Sequence, residues 1–186
     1  MILLWVLGGL VIVVVLWGVG VYNGLVGLNV RSENAWSDVN VQLKRRYDLV
    51  PNLVETVKGY AAHERQTFQQ VTEARTRAMQ ATAPGDKASA ENQLSATIKS
   101  LFAVAENYPQ LKANENFLGL QKSLGDIEDA IQEARRYYNA VVRDYNTKIT
   151  VVPDRFIAQA AGFRPRDFFQ LGAPEEGQPV RVSFTS

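Results

Sequence analysis

The side chains with the most chemical potential in this chain are few and scattered. His63 is its single histidine, and the pair His63-Glu64 invites comparison with a zinc-protease helix. That chemistry needs a second imidazole one helical turn on, so that both rings reach one metal, and position 67 is Thr. A surface histidine on a helix is the simpler expectation. Acid pairs such as Glu128-Asp129 have no base, nucleophile or Gly-rich loop beside them, and one histidine offers no cleft for a Ser-His-Asp relay. With no cysteine, thiol nucleophiles, zinc-thiolate sites and disulfides drop out together. No catalytic, cofactor-binding or metal residue is expected, and no enzyme.

Two other groups of polar residues stand out. Lys44, Arg45 and Arg46, followed by Tyr47-Asp48, could meet phosphate head groups, each cation adding ~1 kcal/mol near an anionic leaflet. They lie far from the apolar run, and consecutive helical residues point in different directions, so pairing with acids inside the fold is the stronger expectation. Arg46 takes a position that should be apolar, which calls for a carboxylate such as Glu64, Glu106 or Asp144 to offset desolvation. The second group is Asn52, Tyr60, Tyr108, Tyr137, Tyr138, Asn139, Tyr145 and Asn146. Their amides and phenols are expected to hydrogen-bond between helices and fix register; a ligand or partner groove is the functional alternative.

The elements that must position these groups begin with an anchor. No charge precedes Arg31, and Ile2 to about Leu28 is built almost entirely of Leu, Val, Ile, Gly and Trp. Twenty such residues in a helix span a ~30 Å hydrocarbon core. A cleaved leader would need a basic start and a small-residue cleavage site, neither of which is present, so a retained span is expected. Trp5 at one end and Trp17 with Tyr22 at the other suit the two interfacial belts. Basic residues flank only the C-terminal side, which favours an outside N-terminus and a body in the cytoplasm; a body on the outer face is the alternative. Gly20 and Gly24 form a G-x-x-x-G pair that would allow close packing of a second span, although glycine is common in membrane helices anyway.

Beyond the anchor, 20 Lys and Arg against 19 Asp and Glu leave a net charge of +1, which excludes a large basic field for nucleic acid. Apolar residues recur at alternating spacings of three and four. Phe117, Leu120, Leu124, Ile127, Ile131, Ala134, Tyr138, Val141 and Tyr145 define a long helix, capped by Asn114, with Glu128 and Asp129 on its solvated face. Leu94, Ile98, Leu101, Ala105 and Tyr108 mark the helix before it, starting at Asp86 after a Pro84-Gly85 turn and ended by Pro109. An earlier helix runs from near the membrane to about Gln80, with Trp36, Val39, Leu43 and Val50 on its stripe, and is interrupted at Pro51 by a kink or a short break. A short helix from Asp154 to Ala161, closed by Gly162, is followed by Phe163, Phe168 and Phe169 as aperiodic anchors and by a strand-like alternation at 179–184.

Several blocks carry a family likeness. Val21-Tyr22-Asn23-Gly24-Leu25-Val26, Ala35-Trp36-Ser37, the run Val41 to Glu55 through Lys44-Arg45-Arg46-Tyr47-Asp48-Leu49-Val50-Pro51-Asn52, Glu106-Asn107-Tyr108-Pro109 and Ala134-Arg135-Arg136-Tyr137-Tyr138-Asn139 resemble the LemA family of bacterial membrane-anchored proteins. The resemblance implies one N-terminal span, an antiparallel helical bundle, a place in the bacterial inner membrane and no settled enzymatic activity. The expected architecture is all-α, with an anchor at 1–28, a bundle of about four long helices at 29–162 and an irregular tail at 163–186. Three functions fit it in descending order: a non-enzymatic scaffold that associates with itself, an adaptor for another membrane protein such as a membrane protease, and a hydrolase or metalloprotein. The partners expected are the lipid bilayer, further copies of the chain and a membrane protein, and not nucleic acid.

Overall fold

The computed structural model describes residues 1–170, so the alternation expected at 179–184 lies outside it. The described residues form α-helices and no strand: α1 (Ile2–Lys58), α2 (Arg65–Gln80), α3 (Pro84–Glu106), α4 (Pro109–Lys112), α5 (Glu115–Thr150) and α6 (Asp154–Ala160). The fold is all-α.

Anchor and first bundle helix are one element. α1 continues for 57 residues, so the expected boundary at residue 28 falls inside it. It also passes unbroken through Pro51, whose ring faces solvent. Of the two expectations at Pro51, the break is thereby excluded, and the chain leaves the helix at 59–64. There the Val57 carbonyl accepts from both Tyr60 and Ala61 at 3.0 and 2.9 Å, tightening the last turn before the chain reverses. His63 lies in this turn and is exposed, not on a helix.

Other ends follow capping chemistry. Pro84 is not part of a turn but opens α3, where its missing N–H costs nothing, and Asp86 falls in the first helical turn beside the positive end of the dipole instead of at the cap. Asn114 caps α5 as expected, its Oδ1 accepting from Phe117 N at 3.1 Å. Gly162 follows α6 with φ +76°, a conformation that favours glycine.

Packing divides the described residues into two units, the first made of 1–49 with 118–168 and the second of 50–117 with 169–170. In the first, α1 and α5 run antiparallel: Trp36 packs at a tilt of 46° against Tyr138 with ring centroids 5.1 Å apart, and Arg46 meets Glu128. Val21, Leu25, Tyr145, Ile149 and Ala158 form a buried cluster, with Leu28, Ile157 and Phe163 against it. The buried face of α1 thus starts at Val21 and Leu25 and continues through Ala35, Val39, Leu43 and Arg46, the last four at spacings of four, four and three. In the second unit α2 packs along α3, burying Phe68, Val71, Ala74 and Ala78 of α2 and Leu94, Ile98, Leu101 and Ala105 of α3. Phe102 meets Phe117 edge-on, and Asn114 donates to the Tyr60 hydroxyl at 3.1 Å.

Candidate interaction sites

The basic trio is split by the helix. Lys44 and Arg45 are exposed and engaged locally, Lys44 with Asp48 at 2.7 Å and Arg45 with the Gln42 amide oxygen at 3.3 Å. Arg46 is buried, as its seam position demands, and it meets a carboxylate that the sequence did not single out for it, Glu128 at 3.2 Å. Measured along α1, Lys44 stands about 33 Å beyond Tyr22, several Debye lengths away. That separation does not support contact between the trio and head groups at the end of the span.

The glycine pair is split as well. A methyl group added at Gly24 would sit 3.2 Å from Lys148 Cε, whereas one added at Gly20 meets nothing within 4 Å. Gly24 therefore makes room for α5 of its own chain, and Gly20 remains an open notch on α1. Gly24→Leu is expected to push Lys148 away from Asp154, its partner at 2.8 Å, and to destabilise the first unit by about 1–2 kcal/mol. Gly20→Leu leaves that packing intact. Thermal melts of the two variants in detergent, followed by circular dichroism, distinguish them: a lowered midpoint for Gly24→Leu alone.

Three of the polar and aromatic residues, Tyr138, Tyr145 and Asn146, hydrogen-bond to backbone outside the helices. Residues 163–168, which have no regular structure, return along the first unit and are clamped by three side chains of α5. Tyr145 donates to the Arg164 carbonyl at 3.0 Å and Tyr138 to the Asp167 carbonyl at 2.8 Å. Between them Asn146 makes a two-way pair with the backbone of Arg166, donating to its carbonyl and accepting from its N–H, each at 2.9 Å. The Arg166 guanidinium crosses to α1, donating to Asn29 Oδ1 at 2.9 Å and to Glu33 Oε1 at 2.6 Å. Nothing periodic in the sequence announces this strap.

Burial pushes the phenols of Tyr138 and Tyr145 above their ordinary value near 10, with the Arg166 guanidinium opposing the shift. A group whose folded pKa is raised contributes stability that is intact below its unfolded pKa and is lost as pH rises through the folded value. The clamp is therefore expected to hold up to about pH 10 and to loosen above it, as each phenol loses the proton that it donates and becomes a phenolate. Amide exchange or tryptic cleavage after Arg166, followed across this range, reports the release.

In the second unit the sequence reading missed a buried pair. Lys87 reaches back from α3 to the C-terminal carbonyls of α2, Ala81 O at 3.0 Å and Ala78 O at 3.5 Å, and Glu91 lies buried one turn further along α3. Desolvation lowers the ammonium pKa, and the Glu91 charge opposes it. The pair satisfies a helix end and ties α2 to α3, which is a structural task. Two grooves open in this unit. One, of about 310 Å³ between α2 and α3, has Glu73, Arg77, Gln93 and Thr97 in its wall; the other, of about 250 Å³, is bordered by Pro51, Glu55, Thr72 and Arg75. Neither brings an acid, a base and a nucleophile together, and among the described residues no three His, Asp or Glu side chains are grouped to hold a metal.

Comparison with known proteins agrees with this architecture. The chain is similar to two magnetosome proteins, MamQ 2 of Paramagnetospirillum magneticum (27% identical over 175 residues) and MamQ of Magnetospirillum gryphiswaldense (26% over 174 residues). Each alignment covers 80% of this chain and 64% of the relative, so the chain spans a little under two thirds of their length. It is also similar to Protein LemA of Metamycoplasma hominis, 26% identical over 131 residues, covering 68% of this chain and 58% of that protein. The matching family model, described as the LemA family, takes in residues 35–184, which begin in α1 where Ala35 enters the seam and include the Arg46–Glu128 pair, the α2–α3 hairpin and the clamped strap. The chain belongs to the LemA family.

Proposed function

We propose that this chain is a non-enzymatic, single-pass membrane protein whose helical body is an interaction module and associates with further copies of itself. One observation carries the reading. Residues 2–17 of α1 are apolar and exposed, and the same helix continues without a break into the seam of the body. Uncovered Leu, Ile and Val over this length are stable only in lipid or against another apolar surface. A helix that leaves the bilayer and becomes part of a bundle sets that bundle close to the membrane. The grooves and clusters described above offer surface and register, and no assembled reaction centre. Basic residues on the C-terminal flank favour a cytoplasmic body.

Membrane fractionation tests the anchor. The full-length protein is expected to stay in the pellet through an alkaline carbonate wash and to leave it only with detergent; release by carbonate alone would defeat the reading. The adaptor alternative draws on exposed Lys44 and Arg45 as a recognition edge, and a stoichiometric second protein copurifying in mild detergent would favour it.

A further inference from the structure

Where α5 ends and α6 begins, apolar side chains stand in the open: Val151 is 46% exposed, Val152 68% and Phe156 63%. Their level along α1 is set by their neighbours. Ile157, next to Phe156, lies 3.6 Å from the position of a methyl group added at Gly18; Ala158 is buried with Val21 and Leu25; and Phe163 lies 5.9 Å from Tyr22. α6 therefore runs beside residues 18–22.

The next part of α1 carries charge alongside it. Lys148, paired with Asp154, rests on Gly24, and Arg166 binds Asn29 and Glu33. Charged groups so close keep this part of α1 out of the hydrocarbon. The residues before Tyr22 must then do the crossing, and Ile2–Val21 at 1.5 Å per residue supplies the ~30 Å required. The membrane surface falls at Trp17 to Tyr22, a level suited to interfacial aromatic rings and the one at which α6 lies.

We propose that the α5–α6 corner is a second membrane contact, in which Val151, Val152 and Phe156 enter the boundary between head groups and acyl chains beside the span. Arg155, exposed next to Phe156, has the length to reach lipid phosphate from there. A span alone lets the body rotate and tilt; a span with a wedge beside it fixes which face of the body is turned to the bilayer. The inference rests on the reading of Ile2–Val21 as a membrane span.

The absence of cysteine allows a direct test in the full chain. Phe156→Cys, Val11→Cys and Tyr137→Cys, each carrying an environment-sensitive fluorophore, are reconstituted in vesicles of phosphatidylcholine and phosphatidylglycerol. Quenching by aqueous iodide is compared with quenching by spin labels attached shallow or deep on the acyl chains. The expected result is shallow-lipid quenching at 156, deep-lipid quenching at 11 and iodide quenching at 137, with iodide several-fold less effective at 156 than at 137. A probe at 156 that is quenched by iodide as strongly as one at 137, while 11 stays in lipid, overturns the wedge and leaves the span standing. A probe at 156 shielded from both quenchers also overturns it, because a protein surface then covers the corner. Iodide access at 11 would remove the span and the wedge together.

Discussion

Glu128→Ala is expected to destabilise the first unit by about 2–3 kcal/mol, while Arg46→Met changes its stability little or raises it. The two substitutions break one ion pair from opposite sides, and burial makes them unequal. The Arg46 side chain is 5% exposed and that of Glu128 39%. Removing the carboxylate takes one counter-charge from a guanidinium held out of water, whereas removing the guanidinium leaves a carboxylate that water can reach. Loss of one partner of a fully buried pair costs about 3–5 kcal/mol, and the exposure of Glu128 lowers that figure. Further contacts to Arg46 hold it at the lower end. A methionine at 46 fills the same slot between Leu43 and Val50 without a charge to desolvate. Denaturant titrations of the two variants in the same detergent give the difference, and equal losses would show that the pair is not governed by burial of the arginine.

Asn146→Ala is expected to free the strap at a cost of about 2 kcal/mol, the largest effect of any single clamp residue. Its amide satisfies both backbone groups of Arg166 at once, so truncation leaves a donor and an acceptor without their partner. Tyr145→Phe and Tyr138→Phe each remove one hydrogen bond and keep the ring in place, for about 1 kcal/mol apiece. Exchange of the Arg166 amide should accelerate most in Asn146→Ala, together with tryptic cleavage after Arg166. Unchanged exchange there would mean that the guanidinium contacts to Asn29 and Glu33 are enough to hold the strap.

The long helices were legible because their apolar residues stand out against polar neighbours. The spacing from Trp36 to Val57 marks the buried face of α1, and Arg46 in that series announces a buried charge. Its partner was not legible, since the residue that faces it is decided by the register of α1 against α5, and a carboxylate on the flank of the seam was near enough to reach in. The seam also begins earlier than contrast allowed: Val21 and Leu25 sit in a run that is apolar on every side, where no face can be distinguished. Lys87 and Glu91 continue the spacing of Leu94, Ile98 and Leu101 toward the helix start, so charges at seam positions were a signal that could have been used. The break at 59–64 was hidden because proline is the stronger word in a sequence, yet α1 accommodates Pro51 on an exposed face. The strap left no trace, since hydrogen bonds from side chains to an irregular backbone impose no period on the residues that accept them.

Association of the anchored chain with further copies of itself is open to measurement. The native mass of the full-length protein, reconstituted in nanodiscs wide enough for several spans and followed over a range of protomer concentrations, addresses it most directly. A protein mass that is a multiple of the 20.7 kDa protomer, reduced in Gly20→Leu, is the expected result. A single protomer per disc at every concentration would contradict it.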